Sequence, residues 1–153
     1  MIPVKVKEIA FDIAMNPVLL LTDEAGKRLL PIWIGPFEAH SIALALEGVS
    51  IGRPLTHDLL KSVCEQLGAE VKSVVITDVR DGTYYAELHL KINDREAIID
   101  ARPSDAVALA LRTVSPIYIT EKVADYALTP EELYSPETEE ARILRLPEEK
   151  KLH

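Results

Sequence analysis

Cysteine is nearly absent: Cys64 is the single one in 153 residues, which rules out an intrachain disulfide and any zinc site built on several thiolates. Glutamine occurs once (Gln66) and asparagine twice (Asn16, Asn93), a scarcity of thermolabile side chains that fits a heat-adapted source. No apolar run reaches the roughly 18 residues of a membrane span. The first residues, with Lys5, Lys7 and Glu8 among them, form no signal-peptide core, so the expected compartment is the cytoplasm. A basic excess is missing too. The 17 basic and 25 acidic residues give a net charge of −8, which disfavours tight, nonspecific nucleic-acid binding without forbidding a local basic groove. Also absent are a P-loop, G-x-G-x-x-G, H-E-x-x-H, G-x-S-x-G and C-x-x-C, so neither nucleotide binding nor the common hydrolase designs are indicated.

What is present suits one globular domain: 48% apolar residues and a mean hydropathy of +0.07, enough to bury a sizeable core. Val4 to Ala14, Val18 to Thr22 and Arg28 to Ile34 read as a β-meander, with the turn at Asp23-Glu24-Ala25-Gly26. Gly35-Pro36 breaks the third strand, and Phe37 to Glu47 follows as an Ala/Leu-rich helix ended by Gly48. Thr56 is the expected N-cap of a second helix, whose apolar stripe Leu59, Leu60, Val63, Cys64 and Leu67 is expected to face the core, with His57 on its flank. Asp81-Gly82 joins two long strands in a hairpin. His89, on the polar side of the second of these strands, reads as surface.

Ile98-Ile99-Asp100-Ala101-Arg102-Pro103-Ser104-Asp105 then reads as a strand turning through a tight corner into a helix, with three charges at that corner. A last strand is expected at Pro116 to Thr120. Thr129-Pro130-Glu131-Glu132 forms a capping box that opens a short helix. The pattern predicts a single mixed α+β domain over 1–128, with about seven largely antiparallel strands and three main helices, followed at 129–153 by an acidic C-terminal helix and tail peripheral to the core. Sliding the chain by 65 residues lays Ile42 to Leu46 on Val107 to Leu111 and His40 on Asp105, a candidate degenerate repeat.

The polar residues that the pattern does not require gather at helix starts and strand ends: Glu38, His40, Arg53, His57, Asp58, Asp100, Arg102, Ser104 and Asp105. Helix starts point N–H groups outward, and loops converge there. Singly, each has a structural alternative as a cap or a first-turn acid.

Three separated motifs, Leu30-Pro31-Ile32-Trp33-Ile34-Gly35 with Glu38 and His40, Arg53-Pro54-Leu55-Thr56-His57-Asp58, and Asp100-Ala101-Arg102-Pro103-Ser104-Asp105-Ala106 through Pro116-Ile117, together resemble the bifunctional nuclease domain family. The resemblance implies a self-associating α+β domain, here a homodimer or larger even-numbered assembly, and a DNase and RNase activity for some members. It brings no settled catalytic residues. For a nuclease, phosphodiester chemistry would assign Asp100, Asp105 and Glu38 to Mg²⁺ or Mn²⁺, His57 or His40 to proton transfer alongside Glu38 and Asp105, and Arg53 and Arg102 to the phosphate. The competing reading is a non-enzymatic oligomeric module that binds a small anion or a protein partner, with Arg102 bracing Asp105.

Overall fold

The computed structural model describes residues 1–134 and Ile143–Leu144. Its strands are β1 (Ile2–Asp12), β2 (Pro17–Thr22), β3 (Leu29–Trp33), β4 (Ala69–Arg80), β5 (Thr83–Ile92), β6 (Arg95–Ala101), β7 (Ile117–Ile119) and β8 (Ile143–Leu144). The helices are α1 (Pro36–Glu47), α2 (Thr56–Gln66), α3 (Pro103–Thr113), α4 (Glu121–Ala124) and α5 (Pro130–Tyr134). The strands hydrogen-bond in the order β3-β2-β1-β7-β4-β5-β6, with β8 added on β1. Every pairing is antiparallel except β4 with β7. The domain is α+β, as the pattern predicts.

The outermost strands of this order, β3 and β6, each end in a proline-led helix start, at Gly35-Pro36 and Arg102-Pro103. An ion pair from Arg102 to Glu38 joins the two starts, so the sheet is curled enough to bring its two edges together. β1 contributes to the bend, as do the two register shifts between β4 and β5. The first residues of β1 pair with β7, the rest with β2, and its register with β2 shifts between Val6 and Glu8, a local extra residue that increases twist.

β2 is buried throughout from Val18 to Thr22, because both its faces are covered, as a continuous apolar strand run demands. Leu19 and Leu21 join the main core with Ile42 of α1, Val107 and Leu109 of α3 and Val74 and Ile76 of β4. Val18 and Leu20 join a second, smaller core with Ala10, Leu29 and Leu133 of α5. The side-chain half of the expected capping box of α5 is seen, with the Glu132 N–H donating to Thr129 Oγ1 at 3.2 Å, while the Thr129 hydroxyl lies 3.2 Å from Glu132 Oε1. With Leu133 fully buried, packing crosses the expected boundary after residue 128. Of the tail, β8 pairs its backbone with Phe11 and Asp12 of β1; the rest lies outside the described residues.

α2 corrects the sequence reading most. Its N-cap is Leu55, whose N–H donates to Asp58 Oδ2 at 2.8 Å, and Thr56 is already helical. Its buried residue is His57, while Leu59, Leu60, Val63 and Leu67 are exposed, Leu67 to 73%, and Cys64 is half-buried rather than core. Amphipathic spacing shows that an apolar face exists, not what covers it. His89 lies half-buried, against Glu87 at 3.2 Å.

α3 ends on Val114, a β-branched residue that is 90% exposed and held at φ 52°, ψ 49°. That left-handed conformation brings its Cβ close to the backbone at a cost of about 1–2 kcal/mol. Glycine escapes this but loses roughly 0.5–1 kcal/mol more in chain entropy on folding. Val114→Gly is therefore expected to stabilise the domain by about 0.5–1 kcal/mol. A thermal melt showing no gain would mean that the side chain is packed in the assembled protein.

Candidate active site

The first turns of α1, α2 and α3 meet at one point, and a chain of polar side chains links them. Arg102, the N-cap residue of α3, places one terminal nitrogen 3.0 Å from Glu38 Oε1. Its Nε donates to Asp105 Oδ2 at 2.8 Å. The other Asp105 oxygen, Oδ1, lies 2.9 Å from Nε2 of His57, whose Nδ1 is 2.6 Å from Ser41 Oγ. Glu38, His57 and Asp105 thus lie within the first three residues of their helices, at the end where unpaired N–H groups favour a carboxylate.

Burial grades along this chain. Ser41 and His57, the latter 7% exposed, are inside, Glu38 and Asp105 are partly covered, and Arg102 is largely in solvent. Burial is the largest influence on Asp105 and pushes its carboxyl up, but the bonds and charges of Arg102 and His57 outweigh it and hold the group below the usual range. An ionised Asp105 fixes the hydrogen on Nε2 of His57, so in the neutral ring Nδ1 accepts from the Ser41 hydroxyl. If the ring protonates, Nδ1–H donates to Ser41 Oγ instead. Asp105, followed by Glu38, holds the Arg102 guanidinium above its ordinary value.

A second cation, this one nearly buried, supports this point from behind. Arg112, in the last turn of α3, donates from Nε to Asp58 Oδ1 at 2.7 Å and from its terminal nitrogens to the carbonyls of Ala108 and Ser41 at 3.0 and 3.2 Å. It ties α3 to the starts of α2 and to the second turn of α1. The Leu55 N–H, then Arg112, keep the Asp58 carboxyl below its usual range.

Of the candidates, Glu38, His57, Arg102 and Asp105 are brought together, and Asp58 supports them. His40 is exposed on α1 and Arg53 on the loop before α2. Asp100 is exposed on β6, in register with Glu87. The sequence reading missed Ser41 and Arg112. The signals for them were a lone hydroxyl in an Ala/Leu helix and a lone cation in the last turn of another. The two helix starts superpose with a shift of 67 rather than 65, laying Pro36 on Pro103 and Glu38, not His40, on Asp105.

The donors expected for Mg²⁺ or Mn²⁺ do not form an open ligand set. Both Asp105 oxygens and Oε1 of Glu38 are engaged within the chain. Among the described residues no group of three or more His, Cys, Asp or Glu is placed to hold a metal ion.

The bifunctional nuclease domain model matches residues 19–132, which hold every residue of the network. The chain belongs to this family. An uncharacterized protein of Mycobacterium tuberculosis (strain H37Rv) is 50% identical over 119 residues, 76% of this chain and 71% of the relative. Bifunctional nuclease 2 of Arabidopsis thaliana is 34% identical and Bifunctional nuclease 1 of Oryza sativa subsp. indica 32% identical, each over 112 residues. The matched part is 71% of this chain but 34% of each plant protein, so the domain spans about a third of the plant nucleases' length. No described helix is long and apolar enough to cross a membrane.

Gly35 is where the domain's first helix start is tightest. A Cβ there would lie 2.9 Å from Glu38 Oε2 and 3.0 Å from Oε1, so Gly35→Ala is expected to push the flexible Glu38 carboxylate off Arg102. The expected result is a nearly unchanged melting temperature, because an exposed guanidinium pair contributes little to folding, roughly 0–1 kcal/mol. A melting curve checks it, and a loss of several degrees would show that the Glu38 to Arg102 contact braces the fold.

Proposed function

We propose that the domain hydrolyses phosphodiester bonds in DNA or RNA, with Glu38 and Arg102 as the groups that meet the substrate and Asp105, His57 and Ser41 as the residues that position them. One observation carries the reading: the continuous chain from Glu38 through Arg102 and Asp105 to His57 and Ser41, set at three helix starts in a bifunctional nuclease domain.

In this scheme the exposed guanidinium neutralises charge on the phosphate as it develops. The uncommitted Oε2 of Glu38 takes a proton from the attacking water. The new bond forms between water oxygen and phosphorus, and the bond from phosphorus to the leaving sugar oxygen breaks, that oxygen taking the electron pair and a proton from solvent. Asp105, itself fixed by His57, holds the Arg102 fork in one orientation.

The engaged state of both Asp105 oxygens favours a second reading, a brace in a non-catalytic binding module. Cleavage of single-stranded DNA and RNA by the purified protein, with and without EDTA, separates the two. The first reading expects cleavage that persists in EDTA. Complete absence of cleavage under both conditions favours the brace, and EDTA-sensitive cleavage restored by Mg²⁺ or Mn²⁺ would mean that Glu38 and Asp105 regroup around an ion.

A further inference from the structure

A cleft of about 780 Å³ lies beside the network, between the end of β3, the tip of the β4–β5 hairpin and the start of α3. Its walls include Trp33, Tyr84, Tyr126, Arg102 and Ser104. Ser104, the second residue of α3, is only 5% exposed, and its hydroxyl has no hydrogen-bond partner among the described residues. The residue is buried, but its hydroxyl oxygen is not among the buried atoms left without a partner, so it keeps access to the space it faces and can bond what enters there. Here that space is the cleft, at a helix start whose N-cap side chain makes no capping bond. The first free N–H groups of α3 are those of Ser104 and Asp105, since Pro103 has none and the Ala106 N–H is bonded to the Arg102 carbonyl.

The lining is also aromatic. Trp33 and Tyr126 are both about half exposed, and the Trp33 indole is held in place by its Nε1–H, which donates to Asp12 Oδ2 at 3.0 Å. A fixed, exposed ring beside a small oxyanion pocket is the arrangement by which single-stranded nucleic acid is held, one phosphate on N–H and O–H donors and a base on a π-face.

We infer that this cleft binds single-stranded nucleic acid, with a phosphate on Ser104 and the α3 start and unpaired bases on Trp33 and Tyr126. The inference rests on the nuclease reading and names its substrate class. Duplexes are excluded because their base faces are already stacked. The charge is consistent with a narrow contact: Asp81 lies on the cleft wall, and Glu38 and Asp105 offset Arg102. Binding therefore draws on one phosphate and on stacking, and its salt dependence is expected to be shallow, a slope near −0.7 in log K against log salt for one phosphate on a single strand.

Trp33 is the only tryptophan in the chain, so its fluorescence reports occupancy directly. The full chain is titrated with a short oligothymidylate, with a hairpin duplex of matching length and with inorganic phosphate, and cleavage of each oligonucleotide is followed on gels from the same mixtures. The expected result is quenching by oligothymidylate and not by duplex. Anisotropy of a labelled oligothymidylate should then show Tyr126→Ala weakening binding by about tenfold and Ser104→Ala weakening it several-fold. Equal competition by duplex, unchanged binding in both variants, or occupancy by free phosphate alone would overturn the inference. Cleavage without quenching overturns it and leaves the nuclease reading standing, whereas quenching without cleavage supports it and overturns the nuclease reading.

Discussion

Replacing Arg112 by alanine is expected to destabilise the domain by about 3 kcal/mol, the lower part of the range for breaking a buried ion pair. Arg112 is nearly buried, and its removal strips a hydrogen bond from Asp58 and one each from the carbonyls of Ser41 and Ala108. Asp58 keeps access to water, which holds the loss below the extreme. The effect reaches the site as well, because Arg112 fixes the Ser41 backbone whose hydroxyl meets His57. Arg112→Lys keeps the charge but cannot bond three partners in different directions from one ammonium, so it is expected to recover only part of the loss. Denaturant titration of the parent and both variants checks this. A loss under about 1 kcal/mol for alanine would show that the cation is not the tie between α3 and the other two helix starts.

Asp105→Asn is expected to reduce cleavage by about ten- to a hundredfold while lowering stability by about 1–2 kcal/mol. The asparagine carbonyl can still accept from His57, but its amide then faces Nε of Arg102, donor against donor, and the fork loses its fixed orientation. The pH dependence supplies a separate readout. A carboxyl whose folded pKa is depressed adds stability that is present above its unfolded value, near 3.9, and is lost as pH falls through the lower folded value. Asp105 is depressed in this way, so the parent should lose melting temperature below about pH 4 more steeply than Asp105→Asn does. Parallel acid profiles would contradict the assignment of its charge to Arg102 and His57.

How much of this was legible in the sequence depends on which residues one asks about. The corner at Arg102-Pro103 and its acid at Asp105 were readable because proline at N1 and a carboxylate in the first turn are local requirements of a helix start. The same reasoning found Glu38 and His57. It could not tell them from His40, Arg53 and Asp100, which have similar local signals but are exposed and not part of the hydrogen-bonded chain. Which helix starts meet is decided by the curl of the sheet, a sum of twist and bulges along its strands that no short motif records. Ser41 and Arg112 escaped for a related reason, since each is unusual only in being polar on a buried face, and the burial of that face is tertiary. The stripe of α2 failed in the opposite sense: Leu59, Val63 and Leu67 form a genuine apolar face, but the packing of α2 turns His57 inward instead. The cleft was invisible because Trp33, Tyr84, Ser104 and Tyr126 come from four separate segments.

Single-turnover cleavage of a single-stranded oligonucleotide by Glu38→Gln, with its melting curve recorded beside the parent's, tests the account most directly. Glutamine keeps an oxygen for Arg102 and removes the base, so the account predicts a rate lower by about 10²-fold or more at a nearly unchanged melting temperature. A Glu38→Gln protein that cleaves as fast as the parent would contradict it.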